Sequence, residues 1–236
     1  MQVFIFDKNK NIPGVRGITV ENLVDEIRNK NDHIKRAFIS SANSLGFMDG
    51  GSDLGYMNSI VDIQRHVQEG FKKFGFKSKL NRNCLPVGCA MFFKVPNEHF
   101  FFVSAPTMFL PQKVFGTSNP YFALSAALKL CLAHNIEEVY VPMMCTNWGG
   151  FSYEASKIQM DKAINETTCS VDLYRNDMYT YYFPPLKNLT EIMLKQPHNY
   201  ANTEFFTEFY PIASDAKSLM ESYYSATHNN QNKHFE

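Results

Sequence analysis

Little in this chain of 236 residues is arranged to hold a metal or a disulfide framework. The cysteines Cys84, Cys89, Cys131, Cys145 and Cys169 are odd in number and form no Cys-x-x-Cys pair, which excludes the spacings of zinc ribbons and of disulfide-stapled domains. Reduced thiols in a cytoplasmic or nucleo-cytoplasmic compartment are the expectation. The histidines are scattered, with none at a His-Glu-x-x-His spacing, so neither a metal site nor a cofactor is expected. Basic runs stop at two residues, and Lys plus Arg equal Asp plus Glu at 23 each. That balance argues against a nucleic-acid surface, although a small nucleotide held by backbone N–H groups stays open. No stretch approaches the about 20 apolar residues of a membrane span. Met1–Lys10 meets Asp7 and Lys8 after too few apolar residues for a signal-peptide core. The sequons at Asn165 and Asn188 are read as chance matches, and the chain has no internal repeat.

Apolar residues, by contrast, make up 44% of the chain, and Phe (21) and Tyr (12) are both abundant. This is enough to bury a substantial core without staples, as one α/β domain over residues 1–225. A C-terminal elaboration follows about residue 165, and residues 226–236 read as a flexible tail. Met1–Phe6 reads as a strand and Glu21–Lys30 as a short amphipathic helix. Arg36–Ser41 reads as a buried strand. A helix is expected from Ser52 to Gly70, with Ile60, Val61, Ile63 and Val67 on its buried side. Val87–Val95 and Phe100–Ser104 read as two strands joined at Pro96-Asn97, and Asn119–His134 is the clearest helix. Ile136–Pro142 reads as a strand and Phe151–Ile164 as a helix. Leu186–Lys195 and Ile212–Tyr224 are further helical candidates. The alternation of strands and helices predicts a sheet covered on both faces.

Two loops stand where a strand gives way to a helix. The first is Ala42-Asn-Ser-Leu-Gly-Phe-Met-Asp-Gly-Gly51, ahead of Asp53. Its paired glycines permit close approach of the backbone to a ligand, and the following helix start offers N–H groups suited to a phosphate. Asn43 has the donors and acceptor to bind ribose hydroxyls, and Asp53 the carboxyl to position or deprotonate water. A tight structural turn with Asp53 as a helix-start acid explains the same spacing about as well. The second loop, Thr146-Asn-Trp-Gly-Gly150, occupies the same kind of position, after the strand run Ile136–Pro142 and before a helix. Two such loops at adjacent parallel strand ends would form a cleft for a diphosphate.

The segment Ser40-Ser-Ala-Asn-Ser-Leu-Gly-Phe-Met-Asp-Gly-Gly-Ser-Asp53 resembles the first ligand loop of macrodomains, in the branch that carries Ala-Asn-Ser-x-Gly-Phe-Met-Asp-Gly-Gly. Pro86-Val-Gly-Cys-Ala90, Ala105-Pro-Thr-Met108 and Thr117-Ser-Asn-Pro-Tyr121 agree with it in order, so the resemblance spans residues 34–163. It implies a three-layer α/β/α sandwich with a mixed, mostly parallel central sheet. It also implies ADP-ribose, free or on a modified substrate, as the ligand. Hydrolysis of ADP-ribosyl or O-acyl-ADP-ribose linkages is a further implied activity, with Asn43 and Asp53 as catalytic residues. The alternatives are a non-catalytic reader, or a fold kept for another nucleotide or for protein contacts. By resemblance, ligand contacts fall on Ala42, Ser44, Asp49, Gly50 and Gly51 in the first loop. In the second they fall on Cys145, Thr146, Asn147, Trp148, Gly149, Gly150 and Phe151. Cys145 and Asn147 stand where the family carries glycines, which requires altered backbone angles or crowds the phosphates. Asp7 and Asp25 are the candidates for an adenine-binding acid.

Other roles compete at several of these positions. A turn cap is the preferred role for Asp49 and a small buried filler for Cys145, while Trp148 serves equally as a packing residue. For the aromatic run Tyr179–Phe183, packing at the sheet edge or in the core is preferred over a place in the pocket. No oligomeric state is implied.

Overall fold

The computed structural model describes residues 1–9, 12–74, 76–78, 82–169, 173–176, 178–196 and 206–209. The expected helix Ile212–Tyr224 and the tail 226–236 lie outside them.

The apolar runs pair into one eight-stranded sheet. Its strands are β1 (Gln2–Asp7), β2 (Arg16–Gly17), β3 (Arg36–Ser40), β5 (Ala90–Lys94), β6 (Phe101–Ser104), β7 (Glu138–Pro142), β8 (Leu173–Asn176) and β9 (Tyr179–Tyr182). The strand order is β2-β1-β7-β3-β6-β5-β9-β8. From β2 through β6 neighbouring strands are parallel, and from β6 to β8 they are antiparallel. The all-buried residues of β3 fit a central strand covered on both faces. A separate two-stranded sheet joins β4 (Phe76–Ser78) to β10 (Phe206–Phe209).

Helices α1 (Val20–Arg28), α2 (Gly51–Ser59), α3 (Ile63–Phe74) and α6 (Leu186–Leu194) cover one face. Their Leu23, Ile27, Tyr56, Val67, Phe71 and Leu189 share a core with Phe38, Phe102 and Tyr140 of the sheet. Helices α4 (Asn119–Ala133) and α5 (Tyr153–Glu166) cover the other, where Leu124, Ala127 and Met160 meet Ile39, Val103 and Val141. Strand side chains alternate between the two cores, as the two-residue period requires. The result is a sheet covered on both faces, as the alternation predicts, in the three-layer α/β/α arrangement that the resemblance implies.

One helix is two. The expected run Ser52–Gly70 breaks at Ile60, whose backbone is extended, and at Asp62, whose φ is +57°. The break resets the helical phase, so Val61, expected inside, is 85% exposed while Ile60, Ile63 and Val67 stay buried. The aromatic run at β9 is core. Tyr179 and Tyr181 are buried and donate their hydroxyls to the carbonyls of His66 (3.0 Å) and Gly70 (2.9 Å) on α3.

At the sheet edge nearest Lys35, Arg36 is 1% exposed and is held by two carboxylates. Its guanidinium donates to both oxygens of Asp32 (2.6 and 2.8 Å) and to Glu138 on β7 (2.6 Å). The Arg36 hydrogen bonds pull the Asp32 carboxyl down to about 2. This network pins β3 to β7, the two strands that feed the glycine-containing loops.

Candidate functional site

Because β3 and β7 are parallel neighbours, the loops after Ser40 and after Pro142 emerge side by side at one sheet edge. The ends of β1 and β6 flank them, since β1 pairs with β7 and β6 with β3. Open parallel sheets bind ligands at this edge. Here it carries a cleft of about 600 Å³, lined by residues 41–55 in part, 107–111 in part, and 142–149 in part, and closed below by Phe6–Lys8 and Ile18–Glu21.

The first loop is shaped by its own side chains. Asn43 accepts the N–H groups of Leu45 (3.1 Å) and Phe47 (3.2 Å) on Oδ1 and donates Nδ2 to the Phe47 carbonyl (2.6 Å). Its amide thus folds the turn while one side of the residue lines the cleft. The loop then reaches Gly50, an extended N-cap without a side-chain cap bond, and Gly51, whose φ of +60° suits glycine. The first helical bond of α2 runs from the Leu54 N–H to the Gly50 carbonyl (3.3 Å). The N–H groups of Gly51, Ser52 and Asp53 precede it, without intrahelical partners, on residues that line the cleft.

Asp53 is 5% exposed and accepts the Ser40 hydroxyl at 2.6 Å. Burial pushes its carboxyl up to about 7, against the opposing Ser40 hydrogen bond and with help from the nearby Asp49 charge. Near neutrality it therefore exchanges its proton, the condition a general base needs. Asp49 is exposed at the cleft mouth.

The second loop is tightly wound. Cys145 adopts φ +60° at a position where the macrodomain pattern carries glycine, so the altered backbone angle is present. The Cys145 carbonyl accepts the Phe151 N–H (3.0 Å), and the Asn147 carbonyl accepts that of Gly150 (3.1 Å). A Cβ at Gly149 would lie 2.5 Å from the Cys145 carbonyl oxygen. Burial pushes the Cys145 thiol up to about 12, so it is protonated at neutral pH and packs as a filler. The Trp148 ring is 62% exposed, and its Nε1 lies 3.4 Å from where a Gly50 Cβ would sit, so the indole spans the gap between the loops.

Of the residues singled out from sequence, Asn43, Asp49, Gly50, Gly51, Asp53, Cys145, Thr146, Asn147, Trp148 and Gly149 converge on the cleft. Ala42, Ser44, Gly150 and Phe151 do not line it. Phe151 is 8% exposed and joins the core beneath. Asp7 lines the cleft, whereas Asp25 is exposed on α1 and bonds Arg28. Sequence reading missed Lys8, Thr19 and Glu21, which follow from β1 lying beside β7. It also missed Thr107, which binds the Ala42 carbonyl through its N–H (2.8 Å) and hydroxyl (3.3 Å). The lining holds four carboxylates (Asp7, Glu21, Asp49, Asp53) against one lysine, Lys8. Such a cleft does not attract an anion by net charge. An anion there would need directed N–H groups, and the start of α2 carries three that lack intrahelical partners. Among the described residues no group of three or more His, Cys, Asp or Glu is placed to hold a metal ion.

No protein-family model and no curated protein sequence matches the chain. Similar solved structures include the macrodomain of Mycobacterium tuberculosis DarG, at 14% identity and TM-score 0.47 over 59% of this chain and 86% of that one. An Oceanobacillus iheyensis macrodomain with MES bound has 12% identity and TM-score 0.44, over 82% and 85%. Thermosipho africanus DarTG in complex with ADP-ribose has 16% identity and TM-score 0.41, over 55% of this chain and 35% of that one. These are distant likenesses, and the three-layer architecture is established by this chain's own strand order and cores.

Proposed function

We propose that the chain binds ADP-ribose, free or attached to a substrate, with the diphosphate between its two glycine-containing loops. One observation carries this reading: the segments Asn43–Asp53 and Cys145–Gly149, each notable in sequence, line one cleft from adjacent parallel strands. The N–H groups at the start of α2, which lack intrahelical partners, supply donors for phosphate oxygens. The cleft volume falls within the range usual for small-molecule sites. The resemblance of the first loop to the macrodomain pattern names the nucleotide. A small nucleotide rather than a nucleic-acid polymer fits the short basic runs, and a cytoplasmic setting fits the five free thiols.

Hydrolysis is the second reading, and Asp53 is the observation in its favour. A carboxyl near 7 at the cleft wall is matched to accepting a proton from water at physiological pH. Asn43, whose amide is engaged by its own loop, then acts by holding the loop in shape. Titration calorimetry is expected to show one ADP-ribose per chain, with weaker heat from AMP, which lacks the second phosphate and the distal ribose. Absence of ADP-ribose binding by the folded protein overturns the proposal. Incubation with ADP-ribosylated protein separates the two readings. Release of ADP-ribose above that of Asn43→Ala and Asp53→Ala variants selects the hydrolase, and binding without release selects the reader.

A further inference from the structure

The segment after residue 165 has no part in either loop, yet its last described helix ends directly behind the cleft. α6 seats Leu189 and Ile192 in the core, with Ile192 so close to the turn at Gly88 that a Cβ there would lie 2.8 Å from its Cδ1. That turn is tied forward, because the Leu85 N–H donates to the Ser44 carbonyl of the first loop (2.9 Å). Past the helix, Gln196 is 6% exposed and faces Asn119, which is fully buried at the start of α4. The two amides bond reciprocally. Asn119 Nδ2 donates to Gln196 Oε1, and Gln196 Nε2 donates to Asn119 Oδ1, both at 2.8 Å. Gln196 also donates to the Ile192 carbonyl (3.0 Å), and Asn119 to the Thr107 carbonyl (2.8 Å).

Thr107 is where this network meets the cleft. It is fully buried as a residue, lines the cleft wall, and binds the Ala42 carbonyl through both its N–H and its hydroxyl. Its side chain also acts on the Cys145 thiol of the second loop, opposing the upward push of burial, and both residues line the cleft. One residue thus binds the first loop and bears on the second, and its own carbonyl is held by an amide whose remaining partner is Gln196. Buried amides tolerate the loss of a partner poorly, so the pair fixes Asn119 in one rotamer and direction.

We propose that Gln196 is a positioning residue for the cleft: through Asn119 and Thr107, the C-terminal elaboration sets the relative placement of the two loops. The ADP-ribose reading enters only through the choice of ligand in one arm of the test.

The test uses the full chain with Gln196→Met, which keeps the side-chain length and removes the amide. Hydrogen exchange followed by mass spectrometry is expected to rise at least tenfold in residues 41–51 and 105–109 and to stay unchanged in β1. ADP-ribose affinity measured below the unfolding transition is expected to fall about tenfold. Should Gln196→Met fail to fold, Gln196→Asn keeps an amide on a shorter arm and is read the same way. Exchange that is unchanged, or that rises equally everywhere, overturns the positioning role. So does a local rise in a variant that binds ADP-ribose as tightly as the parent. If the parent does not bind ADP-ribose, a local rise still supports the positioning role, and the ligand reading alone fails.

Discussion

Asp53→Asn is expected to make the protein more stable at pH 8 and to remove a pH dependence that the parent carries. The carboxyl sits in the wall of the cleft with burial as its dominant influence, and it titrates near 7 instead of at its ordinary value of 3.8. A carboxyl raised in the folded state leaves the fold unpenalised below the ordinary value. The penalty grows as pH rises from about 4 and reaches its full size once pH passes through about 7. The difference corresponds to on the order of 4 kcal/mol above neutrality. Asparagine keeps an oxygen to accept the Ser40 hydroxyl and carries no charge to bury. At pH 8 the variant should therefore melt roughly 10 °C higher than the parent, and at pH 4 the two should coincide. Thermal unfolding scans at five or six pH values measure this. Parallel curves for parent and variant across that range would show that Asp53 is not the titrating group. A carboxylate held at such a cost to stability is common where chemistry needs it. If the hydrolase reading holds, the stabilised variant is also the inactive one.

Gly149→Ala is expected to abolish detectable ADP-ribose binding, with a loss of at least about a hundredfold. The added methyl would meet the Cys145 carbonyl oxygen at 2.5 Å and its Cα at 2.7 Å, so backbone has to move. Cys145 already sits at φ +60° and has little freedom to yield. The Gly149 carbonyl also accepts the Val114 N–H (2.8 Å), so displacement spreads to the segment ahead of α4. Gly150→Ala is the control. That glycine has φ +74°, but its Cβ would make only ordinary contacts, the nearest at 3.5 Å to Lys113. Its substitution should cost about 1–2 kcal/mol of stability through backbone strain. Binding should fall much less than for Gly149→Ala, because Gly150 does not line the cleft. Calorimetry on both variants, with unfolding scans to confirm folding, checks the contrast. Equal binding by Gly149→Ala and the parent would remove the second loop from the ligand site.

The features legible in sequence were those written in short segments. The two strand–loop–helix units could be read because apolar runs ending in Gly-Gly ahead of an amphipathic stretch are local patterns. The β5–β6 hairpin was legible in Val87–Ser104 for the same reason. The break between α2 and α3 was not, because Ile60, Ile63 and Val67 keep helical spacing across it. The extended Ile60 and the left-handed Asp62 interrupt the phase, and neither is marked by a Gly or Pro. The amide pair of Asn119 and Gln196 joins residues 77 apart, and no local pattern marks either one. The loops' meeting in one cleft depended on β7 entering the sheet between β1 and β3, a pairing visible only in the assembled sheet. Thr107 illustrates the middle case. Its tetrapeptide Ala105–Met108 was noticed as a motif, but its role rests on the carbonyl of Ala42, 65 residues away.

The central claim is that the loops Asn43–Asp53 and Cys145–Gly149 together hold a diphosphate. A crystal structure of the protein grown with saturating ADP-ribose tests it most directly. The phosphates are expected between the N–H groups of Gly51 and Ser52 and the backbone of Cys145–Gly149, with Trp148 over the gap. ADP-ribose bound elsewhere on the surface, or a cleft left without ligand at saturation, would contradict it.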